Sequence, residues 1–334
     1  MMAYLRVAAL TLALAACSSQ PALQPAGEAA LRSAVLSAVL ASPQPDRGAS
    51  WLSAKTANSG PLLYVSDFSN FDVYIYSVPS LKRVGKLTGF FEPEGECGDA
   101  HGNVWIAVTG DELMEEFKFG VKTPIATLAD PLGYPVSCAV DAATGNLAVA
   151  NVFGNSGSGG ILIYKNARGT PAFYANPNQF YYYFDGYDAR GNLYVSGMTS
   201  KSVYVLSELR VGEKTMASLS VHGATLHFPG TVLWNGSTLV LGDQECGGGT
   251  SSCLYQASVS GTTVSVTKKI SLAGSCDVAQ VALQNKALFG GDYQYCTHIK
   301  NSSINRWAYP AGGKPLQSVT GVDDPIGAAV TSGT

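Results

Sequence analysis

The chain repeats one short phrase at a nearly fixed interval: a Gly-Asn turn followed by a run of apolar, β-branched and aromatic residues. It reads Gly102-Asn103-Val104-Trp105-Ile106-Ala107-Val108, then Gly145-Asn146-Leu147-Ala148-Val149-Ala150, then Gly191-Asn192-Leu193-Tyr194-Val195-Ser196. From Asn103 to Asn146 is 43 residues and from Asn146 to Asn192 is 46. A period of about 40 to 50 residues is the length of four short antiparallel strands, and such sheets stack radially into a β-propeller. The period therefore predicts an all-β propeller.

Composition agrees with that reading. Of 334 residues, 37 are Gly, 17 are Tyr and only 13% are charged, which suits a turn-rich β protein and not a disordered or helical one. A net charge of -3 provides no basic field for phosphate backbones, so nucleic acid is not expected as a partner.

The repeat lays out the expected strands. The second blade takes 96–100, 104–109, 113–119 and 124–128; the third takes 138–141, 147–151 and 161–165; the fourth takes 184–188, 193–197 and 202–206. A weaker fifth begins at Pro229, turns at Asn235-Gly236 and continues through 238–242, 254–259 and 264–270. The sixth takes 278–283, 287–291, 304–309 and 316–319. Two fragments remain: 62–66, 73–77 and 84–87 lack an inner strand, and 325–330 is an inner strand without a blade. Joining them gives six blades, with the C-terminal strand completing the first and leaving no free edge between the ends. Asp99, Asp141 and Asp188 each precede a turn and are expected to cap it.

Ahead of this domain, 51–334, the chain begins with Arg6 and a short apolar run, 7–16, too short to span a bilayer of about 30 Å. Residues 1–16 read as a signal peptide. Leu14-Ala15-Ala16-Cys17 resembles the bacterial lipobox, which implies lipidation at Cys17, export and anchoring in the cell envelope, on its periplasmic or outer face. Residues 17–50, rich in Ala, Ser, Pro and Gln, read as a flexible tether, with 28–41 able to form a short helix.

Six further cysteines, an even number in an exported chain, predict disulfides. Cys97 and Cys138 fall on neighbouring inner strands, Cys246 and Cys253 flank a glycine-rich connection, and Cys276 and Cys296 flank an antiparallel pair, so the expected pairs are 97–138, 246–253 and 276–296. The chain has no Cys-x-x-Cys pair and four scattered histidines, His101, His222, His227 and His298, a poor set for zinc or a catalytic triad. The glycine-rich stretches 154–160 and 247–249 lack the Lys-Ser/Thr ending of a phosphate loop.

In a propeller, loops from every blade converge where the inner strands begin. That mouth is expected to carry Glu92, Glu94, Glu96, Asp185, Asp277 and Asp323-Asp324, with Tyr182, Tyr183 and other aromatics of 181–184, Phe90-Phe91 and Tyr134 around it. Glu96 and Asp185 occupy matching positions in their blades. They are the best pair for Ca²⁺ or another divalent cation, since hard cations prefer oxygen ligands. Aromatics beside carboxyls also suit a carbohydrate or peptide.

The Pro, strand, Asp, Gly-Asn, Leu-Tyr-Val pattern over 62–331 resembles the NHL and gluconolactonase-like propellers. The lactonase resemblance implies a channel Glu, Asn and Asp around a metal. Glu96 and Asp185 match, but the corresponding positions in the third and fifth blades hold Cys138 and Val232. Streptogramin lyases share the propeller and use a channel His and Glu, for which this chain offers no matching pair. The expected function is thus a lipid-anchored binding or scaffold module for a protein or glycan, and a metal-dependent hydrolase or lactonase is the alternative.

Overall fold

The computed structural model describes residues 48–53, 60–155, 157–294 and 301–333. The signal peptide, Cys17, the tether with its helix at 28–41, and Cys296 lie outside the described residues.

The strands form antiparallel meanders arranged like the blades of a propeller. β1 (Trp51–Leu52), β2 (Leu62–Asp67), β3 (Asp72–Ser77) and β4 (Lys82–Thr88) pair in the order β1-β4-β3-β2, and β25 (Ala329–Thr331) completes that sheet beside β2. β5 (Pro93–Gly98) to β8 (Pro124–Ala129), with β6 (Val104–Val108) and β7 (Leu113–Phe117) between, form the next. β9 (Pro135–Val140), β10 (Leu147–Gly154), β11 (Gly157–Tyr164) and β12 (Ala172–Tyr174) form a third. β13 (Tyr181–Tyr187), β14 (Leu193–Met198), β15 (Tyr204–Leu209) and β16 (Ala217–His222) share one eight-stranded sheet with β17 (Pro229–Trp234), β18 (Leu239–Asp243), β19 (Cys253–Ser260) and β20 (Thr263–Ser271). Its two antiparallel halves meet along a parallel seam, where Ser220, Val221 and His222 of β16 face Thr263, Val264 and Ser265 of β20. β21 (Val281–Gln284), β22 (Ala287–Asp292), β23 (Ser303–Ala308) and β24 (Gly312–Val319) form the last sheet.

The inner strands enclose the axis. β25 lies against β5, β5 against β9, β9 against β13, and β13 against β17. Thr231 N–H donates to Ala279 O, linking β17 to the segment leading into β21, which in turn lies against β25. The C-terminal strand pairs antiparallel with β2, Leu62 facing Thr331 and Tyr64 facing Ala329, so the first and last strands of the ring share one sheet as the sequence predicts.

The second strands read as continuous apolar runs because both their faces are buried. Val104, Ile106 and Val108 pack toward the β1–β4 sheet, whereas Trp105 and Ala107 pack toward β9–β12 with Leu147 and Val149. Ala148 and Ala150, on the other face of β10, meet Leu193 and Val195. Outer strands such as β8 alternate exposed and half-buried residues. Trp105 and Trp307 are fully enclosed, each worth about 2–3 kcal/mol of burial on an area scale. Inner strands approach so closely that a Cβ on Gly95 would stand 2.5 Å from Val136 O, and one on Gly186 2.4 Å from Val232 O.

The strand boundaries correct the sequence reading at several points. The inner strands expected at 96–100, 138–141 and 184–188 begin about three residues earlier, at Pro93, Pro135 and Tyr181. A proline can open a strand, where its missing N–H costs no ladder bond, and register shifts after Pro93 and between Tyr182 and Phe184 absorb the extra residues. The inner strand expected at 278–283 pairs only over Val281–Gln284. Three outer strands, β1, β12 and β16, were not expected; they are short or largely polar, so their periodicity is weak.

Candidate functional site: the mouth of the ring

Two sets of polar residues hold the loops at opposite ends of the inner strands. At one end, Asp99 accepts the N–H groups of His101 and Asn103 and the side-chain amide of Asn103, and Asp188 does the same with Arg190 and Asn192. Asp141 accepts Ala143 N–H and the Thr144 hydroxyl. These aspartates are turn caps. The turn glycines Gly102 and Gly191 have φ of +82° and +84°, which explains the Gly of the repeated phrase.

At the other end, the mouth, a second repeat appears at the close of each of several second strands. Asp67 accepts the N–H groups of Asp323 and Asp324, and Ser69 donates to Asp324. Asn151 accepts Tyr134 N–H, Asp243 accepts His227 and Phe228 N–H, and Asp292 accepts Cys276 N–H. Each buried acceptor thereby latches the loop that enters an inner strand. The sequence signal is an Asp or Asn closing an apolar run, in Val65-Ser66-Asp67, Val149-Ala150-Asn151, Leu241-Gly242-Asp243 and Gly290-Gly291-Asp292.

Below the mouth, Glu96 and Asp185 occupy equivalent positions, and each accepts from a serine of the preceding sheet, Ser66 on β2 and Ser137 on β9. Ser66 Oγ donates to Glu96 Oε1 at 2.7 Å, and Ser137 Oγ donates to Asp185 Oδ1 at 2.8 Å. Both carboxyls are buried, and their second oxygens have no hydrogen-bond partner among the described residues. Burial pushes Glu96 up to about 8 and Asp185 up to about 7, against the opposing pull of the serine hydroxyls. Gln280 closes the space around Glu96: its Oε1 accepts the N–H groups of Glu96 and Ala328, and its Nε2 donates to Glu96 O. A side chain from the β21 segment thus ties β5 to the C-terminal strand.

Nearer the surface, several expected mouth residues converge. Glu94 is buried and raised to about 8, first by desolvation and then by the neighbouring Glu92 carboxylate, with the Thr109 hydroxyl opposing. Tyr293, half-buried, donates to Gln244 Oε1 at 3.3 Å, and its hydroxyl is held well above its ordinary value by desolvation and by Asp277, Asp324, Tyr183 and Glu94. Burial, Tyr181 and Glu94 likewise raise Tyr183. Glu94, Tyr183, Asp277 and Asp324, from four parts of the ring, therefore share one electrostatic neighbourhood. Tyr293 and Gln244 were not singled out in the sequence; they follow the latch residues Asp292 and Asp243 directly, which is the signal that finds them.

Aromatic rings surround this floor. Tyr134 meets Phe153 edge-on at 6.0 Å, Phe153 meets Tyr181 at 5.2 Å, and Tyr181 meets Phe180 at 4.8 Å. Tyr183 contacts Phe228 at 5.5 Å, and Phe71 contacts Phe91 at 5.5 Å. Tyr182 is placed differently from the candidate reading. It is fully buried between the β9–β12 and β13–β16 strands, with its hydroxyl accepting from Asn176 N–H and donating to Asn176 O. Alternation along the strand turns it into the core and leaves its neighbours at the mouth.

The disulfides Cys97–Cys138 and Cys246–Cys253 are formed, the first joining β5 to β9 and the second closing the loop between β18 and β19. Cys276 is disulfide-bonded as well. On the loop-entropy model, closing 41 residues stabilises by about 4 kcal/mol and closing 7 by about 2.4 kcal/mol. Asp243 stands beside Cys246 and Cys253, but their sulfurs are bonded to each other and offer no thiolate.

The donor set implied by the lactonase resemblance does not fit a metal centre. Glu96 turns toward Ser66 of the β1–β4 sheet and Asp185 toward Ser137 of β9, so they belong to different sheet interfaces. Of the remaining two positions, Cys138 is in a disulfide and Val232 is aliphatic.

Fold and site together define an all-β, propeller-like protein with an aromatic-walled mouth. No family model matches the chain, and no curated protein matches its sequence. Solved structures do match in fold. A chain of the nidogen/laminin complex superposes with a TM-score of 0.63 at 12% identity, covering 81% of this chain and 98% of that one. A Bacteroides caccae protein of unknown function gives 0.59 at 14%, covering 82% and 99%, and a functionally unknown protein from Desulfotomaculum acetoxidans gives 0.56 at 11%, covering 81% and 98%. At these identities the likeness is one of fold.

Proposed function

We propose that this protein is a six-bladed propeller serving as a binding or scaffold module that grips a protein segment or glycan at its mouth. The count of six takes the eight-stranded sheet as two blades joined at their rims, and it is supported by six apolar clusters lying between neighbouring blades. The observation that carries the function is the mouth itself. Glu94, raised to about 8, and the half-buried phenols of Tyr183 and Tyr293 keep their protons at pH 7, so the floor offers hydrogen-bond donors beside the Glu92, Asp277 and Asp324 carboxyls, walled by half-buried aromatic rings. Such a surface suits backbone amides or sugar hydroxyls and gives no grip to phosphate. The similarity in fold to a chain of a nidogen/laminin complex supports a role in assembly.

The lipobox-like Leu14-Ala15-Ala16-Cys17 supports anchoring through Cys17 in a bacterial cell envelope, with the propeller held on a tether. The test is crosslinking in membranes with the wild type and with Tyr181→Ala. A discrete adduct lost in the variant, at unchanged unfolding midpoint, supports the reading, and an adduct indifferent to Tyr181 contradicts it. The alternative of hydrolysis at a divalent cation rests on Glu96 and Asp185 alone, and no observation of their geometry favours it.

A further inference from the structure

The end of β18 and the loop after it gather ligand atoms that binding at the mouth does not use. Asp243 closes β18 and faces Cys253, the first residue of β19, across the ladder. The glycine-rich loop between them brings Cys246 back to Cys253 as a disulfide. A carboxylate oxygen of Asp243 and the two sulfurs all lie within 4.8 Å of one another. Beside the carboxylate stands His227, whose Nδ1 is 3.8 Å from Asp243 Oδ2. Asp243 is fully buried, and its Oδ1 accepts three backbone N–H groups, from His227, Phe228 and Glu245. These bonds fix the plane of the carboxyl and leave Oδ2 without a hydrogen-bond partner among the described residues; His227 Nδ1 is also buried and without one. Unpaired polar atoms are costly in such a place. Their separation is too long for a hydrogen bond, and it is close to the spacing of about 3.4 Å that two ligands of one ion take at a tetrahedral angle.

We propose that reducing Cys246–Cys253 converts this cluster into a metal site, with Zn²⁺ held by Cys246 Sγ, Cys253 Sγ, Asp243 Oδ2 and His227 Nδ1. The step is a thiol–disulfide exchange: a dithiol reductant attacks the S–S bond and leaves as its own disulfide, giving two cysteine thiols, and the ion then displaces their two protons to solvent. Two thiolates, an imidazole and a carboxylate form a tetrahedral set that suits zinc and not Ca²⁺ or Mg²⁺. The loop can make the change. A tetrahedral centre holds two sulfurs about 3.8 Å apart, so Cys246 must draw back from Cys253. Cys253 is fixed in β19, whereas Cys246 is followed by three glycines, whose backbone rearranges at low steric cost. The Tyr255 hydroxyl, 3.5 Å from Cys246 Sγ, is placed to donate to the thiolate. A cavity of about 600 Å³, lined among others by Gly223, His227, Gly247 and Tyr255, gives the ion a way in.

The test is metal protection of thiols, read residue by residue. Full-length protein in detergent is reduced with a phosphine, with and without Zn²⁺ at one ion per chain, pulsed with iodoacetamide and mapped by peptide mass spectrometry. Zinc should slow the alkylation of Cys246 and Cys253 about tenfold or more and leave that of Cys97 and Cys138 unchanged. His227→Ala changes a half-buried side chain, so its oxidised form should unfold near the wild-type midpoint, and its reduced form should need about tenfold more zinc for the same protection. Co²⁺ in place of zinc should give the visible bands of a tetrahedral ion with sulfur-to-metal charge transfer, in the reduced protein and not in the oxidised one. No protection by zinc, equal protection of every cysteine, or an unchanged zinc dependence in His227→Ala would overturn the assignment.

Discussion

Replacing Glu96 by Gln should change how stability depends on pH. The side chain is 1% exposed, and its folded-state value is about 8 against an ordinary 4.5. Between these values the folded protein keeps a proton that the unfolded chain releases, so stability falls as pH rises. Its contribution is complete below about pH 4.5 and is lost as pH rises through about 8. One such group gives a slope of about 1.4 kcal/mol per pH unit, or about 3 kcal/mol between about pH 5 and about pH 7. Gln has the same shape, stays neutral, and keeps the oxygen that accepts from Ser66. Glu94 and Asp185 titrate alike in both proteins and cancel in the difference when they act independently. Urea unfolding followed by tryptophan fluorescence at the two pH values measures the gap. Glu96→Gln should gain about 3 kcal/mol relative to the wild type on going to the higher pH, and a gap that does not change with pH would refute the reasoning.

Other outcomes follow from the same geometry. The double variant Cys97→Ala/Cys138→Ala should lose about 4 kcal/mol in urea unfolding under oxidising conditions and become insensitive to added reductant at that bridge. Gly95→Ala must push a Cβ into Val136 O and should cost about 1–3 kcal/mol, read as a lower thermal midpoint. Asp67→Ala removes the acceptor for Asp323 and Asp324 N–H, so amide exchange at these two residues should accelerate while that of β6 stays slow. Millimolar Ca²⁺ should leave the unfolding midpoint of dialysed protein unmoved, because Glu96 and Asp185 face different partners.

Much of the fold was legible because a repeated sequence carries its own alignment. The Gly-Asn phrase placed the second strands, the leftover fragments at the two ends pointed to the pairing of β25 with β2, and aligned inner strands put Cys97 beside Cys138. The inner-strand starts were misplaced because Pro93 and Pro135 read as turn residues, although a strand can open on proline. The matched positions of Glu96 and Asp185 were readable from register. Their serine partners were not, because the choice depends on packing between blades: Gly327 stands where Ser137 does in β9, and Ser66 on β2 comes within 3.0 Å of its vacant Cβ position. Tyr182 and Tyr183 are adjacent and aromatic, and only the observed register sends one into the core and the other to the mouth.

The central claim is that partners are held at the mouth, and a photo-crosslinking residue placed there tests it most directly. One protein would carry the crosslinker at Tyr181, among the mouth aromatics, and another at His101, in an exposed turn on the opposite face. Irradiated in native membranes, the first should give one discrete protein or glycan adduct and the second none. Adducts of equal yield from both positions, or none from Tyr181, would contradict the account.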